Sequence, residues 1–362
     1  MAEQRIVIFG ATGYTGRLIA ERLVAQGVRP VLAGRSLSRL EELAGSLGGL
    51  EVVRADVMRQ NSVFDLVGAG DALVSTVGPF VKWGEPALRA AVAAGCTYLD
   101  STGEPPFIRR VFEEFGPPAE RSGARLLTAM GYDFAPGALA GALAIEDAPE
   151  AVRVDVGYYA LGNGPTSLSG GTRESLVGVT LDDGHAYRDG RVRTARPAER
   201  VRSFSVAGKP REAISVGGAE HFGLPVSYPG LREVNVYLGW FGPLARPLQA
   251  GSMIGQFVRR VPLTTAAMKF AGERALGVIT GPEAGTTPGG RSWIAAEAYD
   301  AGGRRLSEVH LAGVDGYAFT AGLLAWAAQQ HIEGAGALGP VEAFGLERLL
   351  AGASAAGLDR VP

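Results

Sequence analysis

Cysteine is nearly missing from this 362-residue chain: Cys96 stands alone, so an intrachain disulfide is impossible and a cysteine metal cluster is excluded. Histidine is also scarce. His185, His221, His310 and His331 are scattered, and no metal site is expected. Lysine occurs only at Lys82, Lys209 and Lys269, none of them four residues after a tyrosine. The Tyr-x-x-x-Lys pair of a short-chain dehydrogenase site is therefore absent. Excess charge is lacking too: a net charge of -2 gives no electrostatic case for nucleic acid or an anionic membrane. The longest apolar helix expected, around 317–328, falls short of the roughly 20 residues needed to cross a bilayer. Strand one follows the N terminus directly and leaves no room for a signal peptide, so a cytoplasmic location is expected.

What is present is a core-forming chain, 46% hydrophobic, long enough for two domains at roughly 100–200 residues each. Its organising stretch is Ile6-Val-Ile-Phe-Gly-Ala-Thr-Gly-Tyr-Thr-Gly16. Four apolar residues without polar alternation read as a parallel strand buried on both faces. Gly10, Gly13 and Gly16 follow, and then a helix opens. A diphosphate demands this arrangement. The backbone must turn sharply, approach the phosphates without a Cβ in the way, and aim helix N-terminal N–H groups at the anion. The spacing G-x-x-G-x-x-G is a variant of the dinucleotide fingerprint.

Val31–Ala33 forms the second strand and ends at Gly34-Arg35-Ser36. An NAD site places a carboxylate here for the ribose 2′-OH, whereas Arg35 and Ser36 suit a 2′-phosphate, so NADP (NADPH) is the expected cofactor. Asp56, after the third strand, is placed to reach the adenine, and reads equally as an ordinary surface-loop carboxylate. Strand 71–75 ends in Thr76-Val77-Gly78-Pro79, which should line the nicotinamide side. Strand 97–99 runs into Asp100-Ser-Thr-Gly-Glu104, and strand 124–128 into Gly131-Tyr-Asp-Phe-Ala-Pro136. The βαβ alternation through about residue 130 calls for an α/β fold with a Rossmann-type doubly wound parallel sheet. From Val152 the period changes to two. Stretches 152–158 and 233–238, with a hairpin of 293–299 and 305–311, predict a largely antiparallel sheet with one open face. Segments 243–276, 317–331 and 340–350 read as helical. Domains are expected at 1–148 (nucleotide), 149–315 (an inserted α+β substrate and dimerisation domain) and 316–362 (C-terminal helices returning to the first).

Gly10-Ala-Thr-Gly-Tyr-Thr-Gly16, Ala33-Gly-Arg35, Tyr98 to Glu104 and Gly131 to Pro136 together resemble the saccharopine dehydrogenase-like oxidoreductases, most of all the branch holding the trans-acting enoyl reductases. Segments 169–175, 316–321 and 342–345 extend the resemblance over nearly the whole chain. It implies an NADPH-dependent hydride transfer. Gly10, Thr12, Gly13, Tyr14, Thr15 and Gly16 would hold the diphosphate and Arg35 the 2′-phosphate. Val77, Gly78 and Pro79 would border the nicotinamide, and Ser101, Thr102 and Gly103 would close over it. Asp133 matches a substrate-cleft aspartate of true saccharopine reductases, but the Gly-Leu-Asp-Pro-Gly motif around it is altered here.

A carbonyl or enone acceptor also wants a proton donor or an oxyanion stabiliser. Asp133 leads the candidates, followed by Tyr132 and Glu104, with Thr172, Arg173, His221 and Tyr228 from the substrate domain. Glu104 reads equally as a first-turn acid, Tyr132 as packing, and His221 more readily as structural. The apolar segments 253–258 and 266–270 suit a lipid-like substrate or peripheral membrane contact, with packing or a homodimer contact as the plainer account. Reduction of an enoyl C=C bond ranks ahead of a C=N (imine) bond. A nucleotide-sensing protein without catalysis is the rival.

Overall fold

The computed structural model describes residues 4–162, 184–258 and 290–362. Segment 169–175, with Thr172 and Arg173, and segment 266–270 lie outside the described residues.

The chain divides into two units. The first is built on six parallel strands: β1 (Ile6–Phe9), β2 (Val31–Gly34), β3 (Val52–Arg54), β4 (Ala72–Ser75), β5 (Thr97–Asp100) and β6 (Arg125–Leu127). Their spatial order is 3-2-1-4-5-6, each neighbour paired in parallel. This is the doubly wound order, whose reversal lies between β1 and β4. All four residues of β1 are buried, as a strand covered by helices on both faces requires. Each such side chain contributes roughly 1.5–3 kcal/mol by leaving water. Helices Tyr14–Ala25, Leu37–Ser46 and Glu85–Ala94 close the crossovers.

The second unit carries a mixed sheet. Its strands are β7 (Arg153–Leu161), β8 (Gly184–Arg188), β9 (Arg191–Ala195), β10 (Val201–Val206), β11 (Lys209–Val216), β12 (Glu233–Leu238), β13 (Arg291–Tyr299) and β14 (Arg305–Gly313). The pairings are antiparallel except β7 with β12. The hairpin β13–β14 turns at Asp300, whose Oδ1 accepts from the Gly302 and Arg304 amides at 2.9 Å.

The C-terminal segment serves both units. Helix Gly316–Ala327 and helices Pro340–Phe344 and Leu346–Ala355 belong to the first. So does β15 (Gly336–Ala337), which extends its sheet beside β6. The last strand, β16 (Leu358–Val361), pairs with β14 and takes residues 358–362 into the second unit. The sequence expectation had assigned all of 316–362 to the first. Pro136–Glu146, in helix Ala135–Glu146, likewise groups with the second unit, so that boundary falls before 149.

The open face expected of the second sheet is not open along β7, β12 and β13. Asp155, Asn235 and Glu297 project from it and are buried. Asn235 Nδ2 donates to Asp155 at 2.7 Å, Arg202 reaches both Asp155 and Glu297, and Arg305 donates to Glu297 at 3.1 Å. The period-two alternation is real, but its polar half is an internal ion network rather than a solvated surface.

On the opposite side of β7, Tyr158 donates to Glu220 Oε1 at 2.5 Å, both side chains fully buried. Gly137 makes room for this pair: a Cβ there would fall on the Tyr158 hydroxyl and 2.7 Å from Glu220 Oε1. Gly137→Ala should therefore lower stability by about 1–3 kcal/mol, read as a reduced denaturant midpoint at unchanged slope.

Candidate nucleotide and proton-transfer site

The loop after β1 is a cradle that side chains would fill. Gly10 has φ +96°, and a Cβ there would lie 2.6 Å from Thr76 Oγ1. A Cβ on Gly16 would fall on the Gly10 carbonyl and 2.9 Å from Ala11 Cα. The amides of Gly10 and Ala11 both donate to the Ala33 carbonyl at the end of β2 (2.9 and 3.2 Å), and Thr76 Oγ1 donates to the Gly10 carbonyl at 3.1 Å. The loop is thus pinned from both neighbouring strands. Helix Tyr14–Ala25 starts at Gly13 with no side chain capping it, which suits N-terminal N–H groups meant for an anion. Thr12 and Thr15 are half-buried beside it. Tyr14 stacks edge-on against Tyr317, ring centres 5.1 Å apart.

The other predicted cofactor residues lie along the same carboxyl edge. Arg35 is exposed after β2, with no ion pair among the described residues. Ser36 is the N-cap residue of helix Leu37–Ser46, its hydroxyl 3.2 Å from Ser38. One turn on, Arg39 reaches the Thr12 carbonyl at 3.4 Å. This second cation beside the glycine loop was missed by sequence reasoning, though its place in the helix's first turn was a signal. Asp56 follows β3, but its carboxylate accepts from the Met58 amide at 3.0 Å and closes its own turn. Val77, Gly78 and Pro79 follow β4, and Val77 packs against Gly10.

Beyond β5, Asp100 is fully buried and gathers three donors. The amides of Thr102 and Ala129 donate to Oδ1 at 2.9 Å, and the Thr128 hydroxyl to Oδ2 at 2.8 Å. Burial raises its pKa to about 6 against the pull of these hydrogen bonds. Asp100 therefore ties the end of β5, where Ser101 and Thr102 sit, to the end of β6. Gly103 and Glu104 fall in the second unit, Glu104 buried.

The turn after β6 holds Tyr132 and Asp133. The Tyr132 amide donates to Thr320 Oγ1 at 2.9 Å, so helix Gly316–Ala327 fixes this turn as well as touching Tyr14. Oδ1 of Asp133 is buried with no hydrogen-bond partner among the described residues. Burial alone raises the Asp133 pKa from 3.8 to about 7. A carboxyl that titrates near pH 7, set on the carboxyl edge of the nucleotide sheet, can give or take a proton. Of the second-unit candidates, Tyr228 is engaged with Glu146 at 3.0 Å and His221 is buried.

A doubly wound sheet in this strand order, opening on an uncapped glycine loop, is a dinucleotide-binding domain of the kind NADP-dependent oxidoreductases carry. Residues 6–130 match the family model described as the saccharopine dehydrogenase NADP binding domain. This chain therefore carries that domain, and NADP(H) is its cofactor. The chain is similar to the trans-acting enoyl reductases of Mycobacterium tuberculosis and Mycobacterium leprae, 35% and 34% identical over 137 residues. The match covers 36% of this chain and 33% of each relative, so it spans about a third of the curated proteins. In fold, 99% of the chain superposes on all of the apo saccharopine dehydrogenase (L-Glu forming) from Saccharomyces cerevisiae, with a TM-score of 0.58 and 12% identity. The family resemblance seen in the motifs is upheld for residues 6–130.

Proposed function

We propose that this protein is an NADPH-dependent oxidoreductase that reduces the C=C bond of an enoyl, lipid-like or polyketide-like small molecule in the cytoplasm, with Asp133 as proton donor. The observation that carries the reading is the buried Asp133 Oδ1, which has no hydrogen-bond partner among the described residues, on a carboxyl whose pKa burial raises to about 7. The names of the relatives support the choice of an enoyl substrate over an imine.

When bound, the reduced nicotinamide supplies a hydride. The chain's own residues do the rest. Gly10, Gly13, Gly16 and the uncapped helix start receive the diphosphate, and Arg35, Ser36 and Arg39 the 2′-phosphate. Val77, Gly78 and Pro79 would border the nicotinamide, and Ser101 and Thr102 would close over it. As hydride reaches the β-carbon, the Asp133 carboxyl gives its proton to the α-carbon, adding two hydrogens across the double bond. Tyr132 and Glu104 stay subsidiary candidates.

The test is NADPH oxidation with a panel of enoyl thioesters, enones and cyclic imines. Turnover with enoyl substrates alone supports the reading; turnover with imines alone replaces it, and NADPH binding without any turnover favours a nucleotide sensor. Cofactor choice is checked separately. Arg35→Asp should abolish the preference for NADPH over NADH in melting-temperature shifts, where a ligand at 100 times its Kd stabilises by about 2.7 kcal/mol.

A further inference from the structure

The second unit holds a small, partly open cavity of about 20 Å³, lined by Pro105, by residues of β8, β9, β11 and β12 and the turns beside them, and by His221 of helix Glu220–Ser227. Its walls are polar in one sense. His185 and His221, both buried, lie with ring centres 5.2 Å apart. Each is fixed on the backbone of Gly218: His185 Nε2 lies 3.0 Å from its carbonyl, and its amide donates to His221 Nδ1 at 3.0 Å. Two guanidinium groups complete the lining. Arg188 Nη1 pairs with Glu199 at 3.1 Å, but its Nε is buried with no hydrogen-bond partner. Arg196 donates to the Ser252 hydroxyl and the Glu199 carbonyl, both neutral acceptors, and meets no carboxylate among the described residues.

Two arginines of the lining thus face one carboxylate, Glu199, from beside it, with a buried N–H left over. A buried N–H without a partner carries a cost, and so does a half-buried guanidinium with only neutral acceptors. An anion with two or more oxygens would satisfy both. The neighbouring charge is also felt by His221, whose protonation is pushed well down by burial, by His185 and by Arg188. Gly217 leaves space at the rim: a Cβ there would lie 2.9 Å from Pro105 Cβ and 3.0 Å from the His185 nitrogen.

We infer that this cavity binds an oxyanion, a carboxylate or phosphate group carried by a small molecule, through Arg188 and Arg196. The site lies wholly in the second unit and does not depend on the hydride reaction proposed above.

The experiment is calorimetric titration of the full chain, saturated with NADPH so that the nucleotide phosphate sites are filled, with inorganic phosphate in one arm and acetate in the other. One of the two should bind at one site per chain. Phosphate alone would mark a phosphorylated ligand and acetate alone a carboxylic acid. Arg188→Gln and Arg196→Gln should each weaken that binding at least tenfold while NADPH affinity, a readout of the first unit, stays unchanged. Arg196→Lys, which keeps the charge with little demand on packing, should fall between. No heat from either anion at tens of millimolar, or equal binding by wild type and both glutamine variants, would overturn the inference.

Discussion

Asp133→Asn is expected to cost at least a hundredfold in kcat and, at pH 8, to make the protein more stable. Both effects have one cause. An amide cannot deliver a proton, and general acids contribute typically 10²–10⁴-fold. NADPH affinity should not change, because the proposed cofactor site is the glycine loop and Arg35, which this substitution leaves intact. In the wild type only the protonated carboxyl is active, so the rate should be level below pH 7 and fall about tenfold per unit above it. In the variant that limb should vanish.

Stability follows the same titration. The folded pKa of about 7 lies above the unconstrained 3.8, so the folded state holds this proton more tightly than the unfolded one. That contribution is complete below pH 4 and is lost as the pH rises to 7. Three units correspond to about 4 kcal/mol. Asparagine, which never ionises, should recover much of it at pH 8 and little at pH 4. Thermal melts at the two pH values check the sign. An increase at pH 8 with collapse of turnover is the pattern of a residue kept for chemistry at the expense of stability.

The nucleotide sheet was legible because its strands are apolar runs punctuated by glycine, and burial on both faces leaves such runs no alternative. Ile6–Phe9 and Glu85–Ala94 fall where the sequence put them. The second sheet was half legible. Its period-two stretches were visible, yet whether Asp155 and Glu297 meet water or arginine depends on Arg202 and Arg305, which come from other strands. The two-residue β15 and the polar β16 carry no local signal, since each exists only through its partner strand. The site divides in the same way. Glycines and Arg35 announce themselves by position after a strand. His185 and His221 share no spacing that would join them, and Asp133 was legible as a candidate while its missing partner was not.

Asp100 is the clearest case of a residue whose role only the folded chain reveals, and its replacement should have the largest structural effect in the first unit. A strand-terminal aspartate reads as ordinary polar punctuation. In the structure it receives the Thr102 and Ala129 amides and the Thr128 hydroxyl, with the fully buried Tyr98 phenol beside it pushed well up in pKa by burial and by this carboxyl. Asp100→Ala leaves those donors buried without an acceptor. At about 1–3 kcal/mol each, the loss should be roughly 3 kcal/mol or more. The pH dependence separates this from mere cavity formation. Because the folded pKa of about 6 exceeds 3.8, the aspartate stabilises most below pH 4 and progressively less up to pH 6. The penalty for alanine should therefore be greater at pH 4 than at pH 8, by up to about 3 kcal/mol. Denaturant melts at both values measure it; a penalty independent of pH would show that folding does not raise the Asp100 pKa. NADPH binding should weaken in parallel, since the loop bearing Ser101 and Thr102 loses its tie to β6 while the glycine loop keeps its own hydrogen bonds to β2 and β4.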